Sequence, residues 1–168
     1  MLEVIILSAV QGITEFLPVS SSAHLILVSK FFNFSNMGLT LDVSLHLGSL
    51  LAILVYFREE LSNFVVNKKL FLKIIVGSIP VMVFGFFLIK LNLIYYIRDY
   101  KIIGWSTIVF GIFLYYCDKT KMQKSINKNF NYFTALYIGF FQVLSLIPGV
   151  SRSGVTISAA RFFNFNRV

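Results

Sequence analysis

Two long apolar stretches are each broken at the middle by a cluster of polar residues, and these breaks limit the fold more than any other feature. The first covers residues 1–32 and is interrupted by Glu15, Pro18, Ser20, Ser21, Ser22 and His24. The second covers residues 133–165 and is interrupted by Pro148, Gly149, Ser151, Arg152, Ser153 and Gly154. Each half is roughly 12–16 residues, short of the roughly 20 a helix needs to cross the hydrocarbon. A proline in the middle also disfavours one continuous helix. The pattern predicts two re-entrant hairpins, each a half-helix in, a polar turn at membrane depth and a half-helix out. Non-helical backbone at that depth persists only where it is buried in protein or lines a wet cavity.

Between the breaks lie three apolar segments, read as membrane spans over about residues 37–57, 70–89 and 102–117. The first is clearest from Val43 to Phe57 and begins as early as Met37, ending at the charged run Arg58, Glu59 and Glu60. Lys73, inside the second, is expected to snorkel to the interface. Gly77, Pro80 and Gly85 interrupt the second span, which neighbouring helices make tolerable. Composition agrees: the chain is 57% hydrophobic and 13% charged, against about 25% charged in a soluble domain. The net charge of +8 would suggest nucleic acid in a soluble protein. Here the basic residues lie between apolar runs, as the positive-inside rule places them. A lone cysteine, Cys117, excludes an internal disulfide framework and a thiolate zinc site. Glu3 stands where a signal peptide carries basic residues, so the first apolar segment is expected to stay in the mature protein.

The two broken segments resemble each other at a shift of 131 positions, from Gln11 to Gln142. At that shift Thr14 falls on Ser145, Ser20 on Ser151 and Ser22 on Ser153, and Phe31-Phe32-Asn33-Phe34 falls on Phe162-Phe163-Asn164-Phe165. The agreement reads as an internal repeat. Three intervening spans, an odd number, make it an inverted repeat with both polar turns meeting near the midplane. One side then holds Lys30, Lys90, Arg98 and Lys101. The other holds Arg58, Lys68, Lys69, Lys73, Lys119, Lys121, Lys124, Lys128, Arg161 and Arg167 and is expected to be cytoplasmic. The expected fold is all-α and polytopic, one membrane domain over 1–168 with a first repeat over 1–131 and the start of a second over 132–168. Two full units need about 262 residues, so the chain reads as a fragment lacking its last three spans.

Glu15 is the first chemical candidate, because an ionisable residue at membrane depth is functional by default. Its bland alternative is a structural pair with Arg152. Gln11 lies one turn earlier on the same face, and the two side chains together suggest oxygen ligands for Mg²⁺ or Ca²⁺. Three consecutive hydroxyls, Ser20 to Ser22, suggest a phosphate-facing cluster, although helix capping and close packing also use serine. His24 stands one turn from Ser21 and can act as its base. His46 reads as a structural histidine in an apolar run. A guanidinium at membrane depth needs an anion, and the planar fork of Arg152 suits phosphate. The glycines and serines around it precede a half-helix whose N-terminal amides favour anions too.

These residues resemble the undecaprenyl-diphosphatase, or bacitracin-resistance, family. Its marks are Glu/Gln-x-x-x-Glu, then Pro-x-Ser-Ser-x-x-His, then Pro-Gly-x-Ser-Arg-Ser. They read here as Gln11 to Glu15, Pro18 to His24 and Pro148 to Ser153. The resemblance implies hydrolysis of undecaprenyl diphosphate to undecaprenyl phosphate and inorganic phosphate, which recycles the lipid carrier of bacterial cell-wall synthesis and confers bacitracin resistance. It implies a divalent cation, Glu15 as the essential acid, Ser21 and His24 as the catalytic pair, and Arg152 as the phosphate-binding arginine. Ser20, Ser22, Ser151, Ser153 and Thr156 correspond to supporting hydroxyls. Ser21 as nucleophile with His24 as base is the preferred scheme; attack by His24 or by water stays open. Gln11 in place of an acid lowers the negative charge at the first position. Expected partners are the polyprenyl diphosphate and membrane lipid, with no nucleic acid, in a multi-pass protein of the bacterial plasma membrane; a homo-oligomer is left open.

Two rival readings remain: a secondary transporter of an anion, which also uses broken helices at the midplane, and an inactive fragment. The Ser-Ser-Ser-x-His cluster separates catalysis from transport, because transport needs no nucleophile beside a base. No Gly-x4-Gly-Lys loop supports nucleotide hydrolysis.

Overall fold

The computed structural model describes residues 1–34, 38–119, 124–125 and 129–166. Met37, Lys121, Lys128 and Arg167, used above to place spans and charge, lie outside them. The described chain is all-helical. Its α-helices are α1 (Leu2–Thr14), α2 (Ser21–Phe31), α3 (Leu39–Tyr56), α4 (Arg58–Val66), α5 (Lys68–Lys90), α6 (Tyr100–Asp118), α7 (Tyr132–Val143) and α8 (Arg152–Phe162). Short 3-10 turns cover Leu93–Arg98 and Leu144–Leu146. Extended pairing among the described residues is one bridge between Lys124 and Phe165.

Helix starts follow local chemistry. Ser20, Asn67, Asp99, Asn131 and Ser151 each accept a backbone N–H in the first turn of the helix they precede. This satisfies a donor that has no partner inside the helix. Both broken stretches break where expected. Residues 15–20 separate α1 from α2, and residues 147–151 follow the 3-10 turn that ends α7 and precede α8.

The two segments also share local structure at the 131-residue shift. Ser20 Oγ bonds Ser22 Oγ at 3.2 Å, and Ser151 Oγ bonds Ser153 Oγ at 3.1 Å. After α2 and after α8 the chain turns through an asparagine in the left-handed region, Asn33 at φ 53° and Asn164 at φ 65°. Phe34 N then donates to Ser29 O, and Phe165 N to Ala160 O.

Two helices, α5 and α6, are long and apolar enough to cross a membrane. In each, only 11% of the spanning window is buried, where a core helix of a soluble protein would be mostly covered. The third expected span is α3, and it falls short of that standard. Its apolar stretch Thr40–Tyr56 is shorter than a spanning helix needs, and it carries polar contacts: Asp42 pairs with Arg98 at 2.6 Å and His46 Nε2 lies 3.6 Å from Glu15 Oε2. Part of α3 therefore faces a polar interior. The charged run that ends it opens a further helix, α4, which the apolar pattern did not indicate.

Helices α5 and α7 meet backbone to backbone. A Cβ built on Gly139 would lie 2.0 Å from the carbonyl oxygen of Gly77, and one on Gly77 would lie 2.9 Å from that of Ala135. Small residues one turn apart allow this approach where no hydrophobic force draws helices together in lipid. Pro80, inside α5, is buried near that crossing.

Charges gather at two places. Arg98 pairs with Asp42, and Lys30 lies over the Tyr100 ring, 3.9 Å from its centroid. Elsewhere the Lys73 ammonium donates to the carbonyl of Phe130. Arg161 is 3% exposed and donates to the Asp118 carbonyl at 2.6 Å. It joins the ends of α6 and α8.

Candidate active site

The turns of the two broken segments meet. Gly149 N donates to Ser20 Oγ at 3.2 Å, and Ser153 Oγ donates to the Leu17 carbonyl at 3.4 Å. Helix α6 holds the second turn from outside: Ser106 Oγ donates to the Pro148 carbonyl at 2.7 Å and Thr107 Oγ1 to that of Gly149 at 3.3 Å. Gly149 sits at φ 97°, and a Cβ there would lie 2.1 Å from Ser106 Oγ. Only glycine fits both the backbone angle and the approach of α6.

Between the turns lies a cavity of about 320 Å³. The N-cap and first residues of α2 (Ser20, Ser21, Ser22) and of α8 (Ser151, Arg152, Ser153) line it. Two helix N-termini therefore border one cavity, and their free amides and dipoles favour an anion there.

Glu15 forms the acidic wall. Its Oε2 accepts from Ser21 Oγ at 2.6 Å and from Gln11 Nε2 at 2.9 Å, and lies 3.6 Å from His46 Nε2. The short Ser21 contact is the length of a charge-assisted hydrogen bond and gives the hydroxyl proton a defined destination. Arg152 lines the same cavity, exposed, and its guanidinium has no partner among the described residues. The structural Glu15–Arg152 pair is thus absent, and the cation is free for a ligand.

All five supporting hydroxyls border this cavity: Ser20, Ser22, Ser151, Ser153 and Thr156. Ser20 and Ser151 also serve as N-caps, accepting from Ala23 N and Gly154 N. Two expected residues stand elsewhere. The His24 ring donates from Nδ1 to its own helix at the Ser20 carbonyl, 2.7 Å away, and borders an adjoining, largely apolar cavity with Leu27, Phe110 and Leu114. Ser21 turns to Glu15, and no hydrogen bond joins it to His24 here. One helical turn of separation puts two side chains on one face, but here the hydroxyl and the ring serve different cavities.

Gln11 is 1% exposed and lies beneath Glu15, presenting its amide nitrogen; its Oε1 is buried without a hydrogen bond. Calcium and magnesium take several oxygen ligands. Here one carboxylate shares the cavity with an arginine and two positive helix ends, and its Oε2 already accepts two hydrogen bonds. These residues do not fit a resident divalent cation held by Gln11 and Glu15.

The cavity also includes His46, Gln142 and Ser145, none of them expected at the site. Each carried a signal. Gln142 and Ser145 are the repeat partners of Gln11 and Thr14, and His46 is an ionisable residue inside an apolar helix, the same reason that singled out Glu15.

A helical membrane protein whose two broken segments enclose a serine–carboxylate pair, with an arginine unpaired among the described residues lining the same cavity, is the class that fold and site define. The chain belongs to the family described as Bacitracin resistance protein BacA, whose model matches residues 4–168. Among curated relatives, the undecaprenyl-diphosphatase of Pelagibacter ubique is 55% identical over 167 residues, covering 99% of this chain and 65% of that protein. The undecaprenyl-diphosphatase of Alteromonas mediterranea is 40% identical, with 98% and 66% covered. Undecaprenyl-diphosphatase 1 of Pseudoalteromonas translucida is 39% identical, with 99% and 67% covered. The chain spans about two thirds of the length of the curated relatives it matches.

Proposed function

We propose that this chain carries the catalytic site of a phosphatase that hydrolyses undecaprenyl diphosphate to undecaprenyl phosphate and inorganic phosphate in the bacterial plasma membrane. Recycling that lipid carrier supports cell-wall synthesis and resistance to bacitracin. The observation that carries the reading is the 2.6 Å contact between Ser21 Oγ and Glu15 Oε2 in a cavity that Arg152 also lines. An anion transporter needs the arginine but not a hydroxyl whose proton is already aimed at a carboxylate.

In this scheme Ser21 Oγ attacks the terminal phosphorus and its proton passes to Glu15. The bond from phosphorus to the bridging oxygen breaks, and the lipid monophosphate leaves as an anion. Water then attacks the phosphoserine and releases inorganic phosphate. Arg152 and the amides at the starts of α2 and α8 neutralise charge on the transferred phosphoryl group. The Mg²⁺ or Ca²⁺ dependence expected of the family is assigned to a cation chelated by the diphosphate itself, since the donor set of the cavity does not build a cation site.

The same reading takes residues 1–32 and 133–165 as re-entrant hairpins of an inverted repeat in a multi-pass protein. The matched serine caps and the matched Asn33 and Asn164 turns support the repeat. The grouping of Lys30 with Tyr100, and of Lys73 with Phe130, supports the two-sided charge count.

The test is phosphate release from undecaprenyl diphosphate with Mg²⁺ in detergent, beside an Arg152→Ala control. It is run on this chain and on a form carried to the relatives' length. Release by the longer form that disappears with Arg152→Ala supports the phosphatase; no release by either form overturns it.

A further inference from the structure

We infer that His46 is a further catalytic residue, the acceptor of the proton from the water that hydrolyses the phosphoserine. This rests on the phosphatase reading above. The second step has a place for such a group if Glu15 keeps the proton it took in the first. In the first step Ser21 loses its proton to Glu15, and the leaving lipid phosphate departs as an anion without needing one. In the second step water attacks phosphorus, the bond from phosphorus to Ser21 Oγ breaks, and Oγ must regain a proton. Glu15, 2.6 Å away, holds the proton to return. The attacking water sheds a proton at the same time, and a carboxyl already carrying one cannot take it.

His46 is placed to do so. It borders the cavity, and its Nδ1 lies 2.8 Å from the Asp42 carbonyl oxygen one turn earlier on α3. A carbonyl only accepts, so Nδ1 carries the hydrogen and the lone pair of the neutral ring is on Nε2. Nε2 lies 3.6 Å from Glu15 Oε2, on the side of the cavity where the phosphoserine would form. The carboxyl of Asp42 does not compete for the ring, because it pairs with Arg98. His24 makes the same Nδ1 bond to its own helix but turns Nε2 to a different cavity. The two histidines thus have equivalent tautomers, and only one of them meets the reacting group. At the end of the cycle Nε2 has gained one proton from water, Glu15 has returned one to Ser21, and His46 releases its proton with the departing phosphate.

The test follows the covalent intermediate, using the relatives' length and undecaprenyl diphosphate labelled in its terminal phosphate. Wild type, His46→Ala and His46→Gln are mixed rapidly with substrate. Release of the lipid monophosphate, release of inorganic phosphate and label on the Ser21 peptide are then followed. Both variants are expected to release the first equivalent of lipid monophosphate within about threefold of the wild-type rate. Steady turnover is expected to fall about 100-fold, with phosphate held on Ser21. The first equivalent also reports that the variants are folded. Wild-type phosphate release by either variant overturns the inference. So does loss of the first equivalent in both, which would place His46 in the first step or in support of Glu15. A wild type that releases no phosphate fails the phosphatase reading itself and is distinguished by that.

Discussion

Ser20 Oγ accepts the backbone N–H of Gly149 at 3.2 Å, across 129 residues of sequence. The same hydroxyl caps α2 through Ala23 N. One serine thus starts a half-helix and joins the two turns that enclose the cavity. Ser20→Ala leaves the buried Gly149 N–H without its partner, which costs about 1–3 kcal/mol. A lower unfolding temperature in detergent is expected, together with lost activity as the turns lose their alignment. Unchanged unfolding would remove Ser20 from this joining role.

Glu15 and Ser21 are expected to fail differently. Ser21→Ala removes the attacking oxygen, so no phosphoserine forms. Glu15→Gln keeps a hydrogen-bonding side chain but takes the Ser21 proton poorly. A fall of about 10²–10⁴-fold in kcat with little change in KM is expected. Steady-state kinetics separates this from a binding defect, which would raise KM instead.

Arg152→Lys is not a conservative change at this site. The ammonium keeps the charge but loses the planar fork that meets two phosphate oxygens at once. A drop in kcat/KM of roughly tenfold or more is expected, with Arg152→Ala lower still. Inorganic phosphate, a product, should compete weakly against either variant and more strongly against wild type. Equal inhibition of all three would place the anion elsewhere.

Chelation separates a resident cation from one carried by the substrate. The cavity offers one carboxylate beside an arginine, so EDTA is expected to stop turnover yet leave the unfolding temperature of substrate-free protein unchanged. A resident ion at about 100 times its Kd would add about 2.7 kcal/mol of stability, and its removal would appear as a clear downward shift.

The crossing of α5 and α7 gives a packing prediction. Gly139→Ala places a methyl 2.0 Å from the Gly77 carbonyl oxygen. Backbone cannot yield as a flexible side chain does, so a loss of about 1–3 kcal/mol is expected. Gly12→Ala, with nothing within 4 Å of its added Cβ, serves as the control. Thermal unfolding of the two variants side by side checks this.

Much of the architecture follows from the order of residues alone. Helix type and limits are local matters, set by apolar length, prolines and capping side chains at Ser20, Asn67, Asp99, Asn131 and Ser151. The likeness of the two broken segments at a shift of 131 positions was equally legible, because both use the same serine caps and asparagine turns. Glu15, Ser21 and Arg152 stood out as polar groups that lipid would not tolerate without a purpose. What tertiary structure alone decided is which of these groups meet. Spacing put His24 beside Ser21, while folding turned Ser21 to Glu15 and sent His24 to another cavity. His46 on α3, Gln142 and Ser145 on the second broken segment, and Ser106 and Thr107 on α6 entered the site or its support from far along the chain. Sequence fixes neighbours along one helix; the meeting of separate helices depends on backbone approaches such as Gly77 on Gly139 and Gly149 on Ser106, which only the packed molecule contains.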